Sequence, residues 1–294
     1  MTSIRDVAKI AGVSPATVSR VMNGTANVNE EKRQRVEAAI EKTGFCPNEL
    51  ARALYKKSSK IIGVIVPDIE NPFFSELAKA VEDEAFQNGY RMLLCSSGNN
   101  AEKEMQNIQM LVQMKADGVI IMTDSADTGK VLKACQVPVV LVDRTLQNVN
   151  EKAVVKSDHY KGGYLAAEHL VQCGCKKCLK EPSGYSSGNE RYRGYLAVCE
   201  KYGLKEQSVD CTYVYEEGIR AVGKMLEQYP DVDGVIAGND MIAMAVYKEL
   251  TRMGKKIPQE VQLIGFDDVK FGQIFTPELT TIHQSIREMG TAAA

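Results

Sequence analysis

The 294-residue sequence contains no apolar run that approaches the ~18 residues a membrane-spanning helix needs. No apolar segment of the kind found in secretory signals follows Met1. The eight cysteines are scattered along the chain, which indicates reduced thiols rather than a disulfide framework. These features predict a cytoplasmic protein that makes no contact with a membrane.

The sequence also lacks the motifs of common catalytic sites. It has no nucleophile elbow, no phosphate-binding glycine loop and no HExxH. Cys173, Cys175 and Cys178 lie close together, but structural zinc takes four ligands, and no second Cys or His pair is near them. Asp267 and Asp268 are adjacent, so their carboxylates need not face each other as an acid–base pair. We therefore expect no enzyme, no bound metal and no cofactor.

Charge is unevenly distributed along the chain. Residues 1–60 contain 11 Lys or Arg against 6 Asp or Glu, a net charge of +5. The remaining residues contain 25 against 32, a net charge of −7. A basic N-terminal segment on an acidic body indicates that only the N-terminal segment meets a polyanion.

The stretch Ile4–Gly24 predicts two short helices joined by a tight turn. Gly12 suits the end of the first helix, whereas Ser14 and Pro15 suit the start of the second. Val18 faces back onto the first helix. The outward face of the second helix then has short side chains at its N-terminus followed by an arginine, and such a face suits a DNA major groove. The residues of this face are Pro15, Ala16, Thr17, Ser19 and Arg20. An ordinary helical hairpin remains the alternative.

Two further segments lie before the body. The spacing after Asn29 predicts a third helix that ends at Gly44. Residues 48–57 have a short apolar stripe but are too few for a stable isolated helix. They are either a solvated linker or a hinge that folds on DNA, with a leucine inserted in the minor groove.

From Ile61 onward, apolar strands alternate with helices. This pattern is typical of a parallel sheet covered on both faces, and it occurs twice. The second series includes a poor strand near 176–179 and another expected at 211–214. The fold class predicted is α/β, with two doubly wound parallel-sheet subdomains preceded by a small all-α helix-turn-helix domain. A small ligand is expected in the cleft beside the carboxyl ends of the strands.

Several motifs resemble those of the LacI/GalR family of bacterial transcriptional repressors, in the same order over nearly the whole chain. The body is similar to that of periplasmic ribose-binding proteins. The motifs are DVAKIAGVSPATVSRVMNG (6–24), PNELARAL (47–54), IGVIVPDIENPFF (62–74), VPVVLVDR (137–144), GNDMIAMAVYKEL (238–250) and VQLIGFDD (261–268).

The resemblance implies a domain organisation and a DNA-binding role. The domains are a DNA-binding head (1–47), a hinge helix and linker (48–60), an N-terminal lobe (61–154 with 285–294) and a C-terminal lobe (155–284). A homodimer would bind double-stranded operator DNA of palindromic sequence. The residues implied are Ser14, Pro15, Ala16, Thr17, Ser19, Arg20 and Asn23 in the head and Leu54 in the hinge.

The resemblance further implies a sugar effector between the lobes, ribose or a related pentose or hexose. Aromatic faces would pack on the ring, and carboxylates and guanidinium groups would bind its hydroxyls. The residues implied are Asn71, Phe73, Phe74, Asp143, Arg144, Arg191, Asn239, Asp267 and Gln284. Alternatively, the phenylalanines could be core residues, Asp143–Arg144 a structural ion pair, and Asp267 a cap.

Two other functions remain open at this point. One is a catabolite-control-type regulator whose co-regulator is a phosphocarrier protein, and the other is a sugar receptor that binds no DNA. The sequence also departs from the family pattern. The segment before Arg191 is shorter than usual, and the family normally continues about thirty residues beyond Ala294.

Overall fold

A computed structural model describes residues 2–24, 28–46, 58–146, 153–176, 178–180 and 185–294. The chain divides into two compact units, Met1–Ser59 and Lys60–Ala294. No helix within the described residues is both long enough and apolar enough to cross a membrane.

The first unit contains three helices in its described residues. They are α1 (Ile4–Ala11), α2 (Pro15–Met22) and α3 (Glu30–Thr43). As predicted, Gly12 and Gly44 take left-handed conformations after α1 and α3, and the Ser14 side chain caps α2. Val18 packs with Val7 and Val36 in the small core, which accounts for the outward face of α2.

Arg35 of α3 connects this helix to the turn between α1 and α2. Its guanidinium group donates hydrogen bonds to the carbonyl oxygens of Ala11 and Gly12, where α1 ends. These carbonyls have no partner within α1 because Ala11 is its last residue and Gly12 follows it. Helix α3 thereby fixes the turn between α1 and α2.

The second unit begins with a lobe of alternating strands and helices. Its elements are β1 (Ile61–Val66), α4 (Pro72–Gln87), β2 (Arg91–Ser96), α5 (Ala101–Gln113), β3 (Gly118–Ile121), α6 (Ala126–Ala134), β4 (Val139–Val142) and β5 (Ala153–Val155). The strands are parallel and form a sheet in the order β2-β1-β3-β4-β5.

Both faces of this sheet are covered, as the continuous apolar strands predict. Val64 and Val66 face α4, whereas Ile65, between them, faces α5 and α6. The strand order reverses beside β1, and such a switch point opens a crevice at the carboxyl ends of the strands.

The chain then crosses to a second parallel sheet and returns. The remaining elements are α7 (His159–Gln172), β6 (Cys178–Lys180), α8 (Ser186–Tyr202), α9 (Tyr215–Gln228), β7 (Gly234–Ile236), α10 (Asp240–Arg252), β8 (Gln262–Asp267), β9 (Thr280–His283) and α11 (Ile286–Ala293). The second sheet has the order β6-β7-β8-β9, and α11 packs on the first lobe beside α4.

The prediction of a strand at 211–214 is wrong. These residues are described and form no strand, although Cys211 is buried against α9 and α10. Of these four residues only Cys211 is buried, whereas Thr212 and Val214 are exposed.

The backbones of helices α7 and α8 come unusually close together where the two helices cross. A Cβ atom on Gly163 would lie 1.9 Å from the carbonyl oxygen of Arg191, and one on Gly194 would lie 2.2 Å from that of Tyr160. Only glycine fits such an approach of two backbones. The crossing brings the start of α7 beside Arg191 of α8.

Candidate functional site

The exposed face of α2 contains the residues predicted to meet DNA. Ser14, Pro15, Ala16, Arg20 and Asn23 are exposed, whereas Thr17 and Ser19 are half-buried. The hydroxyl groups of Ser14 and Thr17 lie 2.9 Å apart, and the Asn23 amide donates to the carbonyl oxygen of Ser19 at 2.8 Å. Leu54 lies outside the described residues.

The residues predicted to bind a sugar follow the carboxyl ends of strands in both lobes. Each of the nine retains an exposed fraction of 5% or less. Direct contacts join Asp143, Arg191, Asp267 and Gln284 into one connected cluster, with His159 between the first two. Burial of so many polar groups is costly unless they are paired with one another or with a polar ligand.

Asn71, Phe73 and Phe74 lie at the start of α4. The Asn71 side chain caps the helix by accepting from the backbone N–H of Phe73 at 3.0 Å. The two phenyl rings pack edge to face at 5.1 Å within the core of the first lobe. Phe74 also lies 5.9 Å from the guanidinium carbon of Arg144.

Arg144 contacts both lobes. Its Nη1 donates to Asn99 Oδ1 at 2.8 Å, and its Nε lies 3.5 Å from Asp124 Oδ2. The guanidinium carbon is 4.1 Å from the ring centre of Tyr185, which precedes α8 in the second lobe. The Arg144 guanidinium therefore faces Asp124, whereas the carboxylate of Asp143 faces His159.

Arg191 is the centre of the cluster. Its Nη1 donates to the carbonyl oxygen of Gly238 at 2.7 Å, and its Nη2 lies 3.8 Å from Asp267 Oδ1. The guanidinium carbon is 3.6 Å from the ring centre of Phe266. Its Nε donates to Nδ1 of His159 at 3.4 Å. Four contacts thus hold the guanidinium group at the ends of β7 and β8.

Asp267 ends β8 with a φ of 117°, a conformation that L residues rarely adopt. Its Oδ1 accepts from the Gln284 amide at 2.7 Å. Asn239 caps α10 by accepting from the backbone N–H of Ile242 at 2.9 Å. Next to it, Asp240 accepts from Thr281 Oγ1 at 2.6 Å and from the backbone N–H of Val269 at 2.9 Å.

The environments of the three buried carboxyl groups differ. Burial raises the pKa of Asp143, but the nearby His159 and the positive charges of Arg191 and Arg144 outweigh it, so this pKa is lowered. Burial raises the pKa of Asp267 well above its ordinary value, despite the opposing charge of Arg191. Burial also raises the pKa of Asp240 to about 6.

Some buried polar atoms of the cluster have no hydrogen-bond partner among the described residues. They are Asp143 Oδ1 and Gln284 Oε1. Asp143 Oδ1 is 3.3 Å from His159 Nε2, which is an electrostatic contact without hydrogen-bond alignment. Buried oxygens in this state favour a ligand that presents hydroxyl groups.

The sequence interpretation missed four residues of the site, namely Asn99, Asp124, His159 and Tyr185. Asn99, Asp124 and His159 closely follow β2, β3 and β5, at the edge where parallel strands end together. That position was the available signal. No group of three or more His, Cys, Asp or Glu in the described ranges is placed to hold a metal ion.

A helix-turn-helix head and a two-lobed binding body define a class of DNA-binding regulators, and comparisons with known proteins give the family. Residues 3–48 match the family described as bacterial regulatory proteins, lacI family. Residues 59–294 match the family described as periplasmic binding proteins and sugar binding domain of LacI family. The chain belongs to the LacI family.

Individual relatives and solved structures agree with this family assignment. The chain is 39% identical to the ribose operon repressor of Halalkalibacterium halodurans, covering 100% of this chain and 88% of that protein. It resembles a lac repressor dimer bound to operator and an anti-inducer, with a TM-score of 0.86 at 25% identity over 99% of this chain and 90% of that one. A LacI-family regulator from Enterococcus faecium with bound ribose gives 0.72 at 29% identity over 80% and 87%.

These findings confirm the predicted family and fold class. The chain is a DNA-binding repressor of the LacI family, and repressors of this family are not enzymes. The match over residues 3–48 contradicts the alternative of a receptor without a DNA-binding function. The residue assignments, the domain boundaries and the identity of the effector stay predictions.

Proposed function

We propose that this repressor binds a palindromic operator as a homodimer and responds to ribose, or a related pentose or hexose, held between its lobes. The observation that carries the proposal is the buried interlobe cluster of Asp143, Arg191, Asp267 and Gln284, with oxygens that lack hydrogen-bond donors. A repressor acts where the chromosome is, so we expect it in the cytoplasm.

The chemistry of the cluster suits a neutral polyol. Carboxylate and amide oxygens accept from hydroxyl groups, and guanidinium groups donate to hydroxyl oxygens. The positive charges of Arg191 and Arg144 are offset by the carboxylates of Asp143 and Asp124, so a phosphorylated sugar would find no net positive lining. The name of the 39% identical relative and the ribose bound to the Enterococcus faecium regulator support ribose in particular.

In the proposed mechanism, ribose contacts side chains from both lobes and so favours the closed arrangement of the body. It can shift the equilibrium only by its difference in affinity for the two states. We expect closure to weaken operator binding. Ser14, Pro15, Ala16, Thr17, Ser19, Arg20, Asn23 and Leu54 remain the proposed DNA contacts.

The test is calorimetric titration of ribose into the full chain, with xylose and glucose as comparison sugars. Operator DNA is first selected from a random pool by the protein itself, and its affinity is then measured with and without ribose. We expect saturable heat with ribose and weaker DNA binding in its presence. Absence of saturable heat with all three sugars would contradict the proposal and favour a phosphocarrier co-regulator.

Asp267→Ala and Asp268→Ala make a matched pair for locating the site. Both residues have positive φ, so both substitutions carry the same kind of backbone cost. Only Asp267 is buried, whereas Asp268 is exposed beside His283. We expect Asp267→Ala to weaken ribose binding about 100-fold, through loss of hydrogen bonds to a carboxylate, and Asp268→Ala to leave it unchanged. Equal effects would contradict the assignment of Asp267.

A further inference from the structure

His159 lies between the two lobes of the proposed effector site. It is the first residue of α7, which packs on the second sheet, and its exposed fraction is 4%. Its Nε2 lies 3.1 Å from the carbonyl oxygen of Asp143, at the end of β4 in the first lobe. Its Nδ1 lies 3.4 Å from Nε of Arg191 in the second lobe. One imidazole ring thus contacts a residue of each lobe.

The partners of this ring determine where its proton lies. A guanidinium group has only donors, so Nδ1 must accept from Arg191 and cannot carry a proton. A carbonyl oxygen only accepts, so Nε2 must donate to Asp143. His159 is therefore a neutral imidazole with its proton on Nε2. The carboxylate of Asp143, 3.3 Å from Nε2, favours the same orientation.

Close packing gives the start of α7 little freedom to move. A Cβ atom on Gly162 would lie 2.6 Å from the Phe266 ring, and one on Gly163 would lie 1.9 Å from the backbone of Arg191. The start of α7 is therefore pressed against the segments that hold Arg191. Phe266 itself stacks on the Arg191 guanidinium group and lies 6.2 Å from the imidazole, ring centre to ring centre.

We propose that His159 is a positioning residue that fixes the Arg191 guanidinium for the effector and couples it to the Asp143 backbone of the opposite lobe. This inference rests on the proposed function in that the effector is assigned to the same cluster. The other charged groups facing this chain of contacts are Arg144, beside Asp143, and Asp267, 3.8 Å from Arg191. When His159 is removed, Arg191 Nε loses its acceptor and the lobes lose one direct connection.

The first experiment needs no effector. The full chain is labelled with ¹⁵N-histidine, and long-range ¹H–¹⁵N spectra at pH 7 report the tautomer of each ring. The chain has only three histidines, so the spectrum of His159→Gln identifies the His159 signals by their loss. We expect the neutral form with the proton on Nε2. A proton on Nδ1, alone or together with one on Nε2, would overturn the inference.

The second experiment compares variants by ribose titration. Glutamine offers an amide oxygen to Arg191 and an NH₂ group to Asp143, so His159→Gln should keep ribose affinity within about threefold. Leucine offers neither, so His159→Leu should lose about tenfold or more. His169→Gln, at an exposed position of the same helix, is the control and should match the wild type.

The outcomes separate the two proposals. A wild-type chain that binds no sugar contradicts the proposed function, whereas the tautomer measurement still decides the state of His159. Wild-type ribose affinity in His159→Leu contradicts the coupling alone. Equal losses in His159→Leu and His159→Gln, in proteins with wild-type circular dichroism, would mean that only the shape of the ring matters, which also overturns the inference.

Discussion

Asp240 illustrates how much a single buried carboxyl group contributes to the second lobe. It is fully buried, and it joins the start of α10 to β9 and to the segment after β8 through Thr281 and Val269. Burial raises its pKa from 3.8 to about 6. The folded state therefore holds a proton that the unfolded state releases between these two values.

We predict that stability declines with rising pH because of Asp240. Its contribution is fully present below pH 3.8 and is lost as the pH rises toward about 6, since the folded state binds more protons in that interval. A shift of this size corresponds to about 3 kcal/mol. Asp240→Asn has no carboxyl group to titrate and can still bond Val269 and Thr281.

The measurement is urea unfolding of the wild type and Asp240→Asn at pH 4 and pH 7. The difference in free energy of unfolding between the two proteins should move by up to about 3 kcal/mol in favour of the variant at the higher pH. Groups other than Asp240 titrate in both proteins, so their contributions to the pH dependence largely cancel in the difference. A difference that does not change with pH would contradict the assignment.

The sequence could predict some site residues better than others. Asp143 and Asp267 belong to motifs that the sequence shows plainly, and the structure joins them to Arg191 and Gln284 through direct contacts and His159. His159 was not predicted as a site residue although it closely follows β5, because its contact with Arg191 depends on how closely α7 and α8 cross. Asn71 and Asn239 have a visible local role, since both cap helices.

At the scale of elements, the crossing of α7 and α8 determines the geometry of the cluster. Gly163 allows the backbone of α7 to touch that of α8 at Arg191 itself. A displacement of either helix therefore moves the Arg191 guanidinium relative to His159 and Gly238. The packing of the second lobe and the arrangement of the site depend on the same contact.

We predict that Gly163→Ala destabilises the body by about 3 kcal/mol, because a new Cβ atom overlaps backbone that cannot rotate away. Gly223→Ala is the matched control. Gly223 lies in α9, and a methyl group added there would meet no atom within 4 Å, so alanine should stabilise by about 0.5–1 kcal/mol. Thermal and urea unfolding measure both variants. Similar stabilities of the two would show that α7 can shift at little cost.

Most elements could be predicted because their boundaries carry local signals. The left-handed Gly12 and the capping Ser14 fix the helix-turn-helix, and the continuous apolar strands fix the two sheets. The prediction of a strand at 211–214 was wrong because a short stretch with an apolar residue at each end looks the same in a strand and in a loop, and here only Cys211 is buried.

At the scale of the whole molecule, charge divides the two binding activities. The first 60 residues carry +5 and the remainder −7. Operator binding by the basic head releases counterions from DNA, whereas a neutral sugar in the body releases none. Ionic strength should therefore affect one activity and not the other.

We predict that operator affinity falls on the order of 1,000-fold between 50 and 200 mM salt, the loss expected for about six phosphate contacts. Ribose affinity should change by less than about twofold over the same range, since the ligand has no charge to screen. Fluorescence anisotropy of labelled operator and calorimetry of ribose provide the two measurements. A ribose affinity that falls in parallel would contradict the prediction and show that salt acts on the sugar site itself.

The length of helix α7 means that a small tilt at the site produces a larger displacement at its far end. It begins at His159 in the site and ends beside Cys173, which is exposed. Fourteen residues of α-helix span about 21 Å, so a tilt of about 10° at the site moves the far end by roughly 3.5 Å. A fluorophore attached to Cys173, with the exposed Cys46 replaced by serine, would turn that displacement into an optical signal of effector binding.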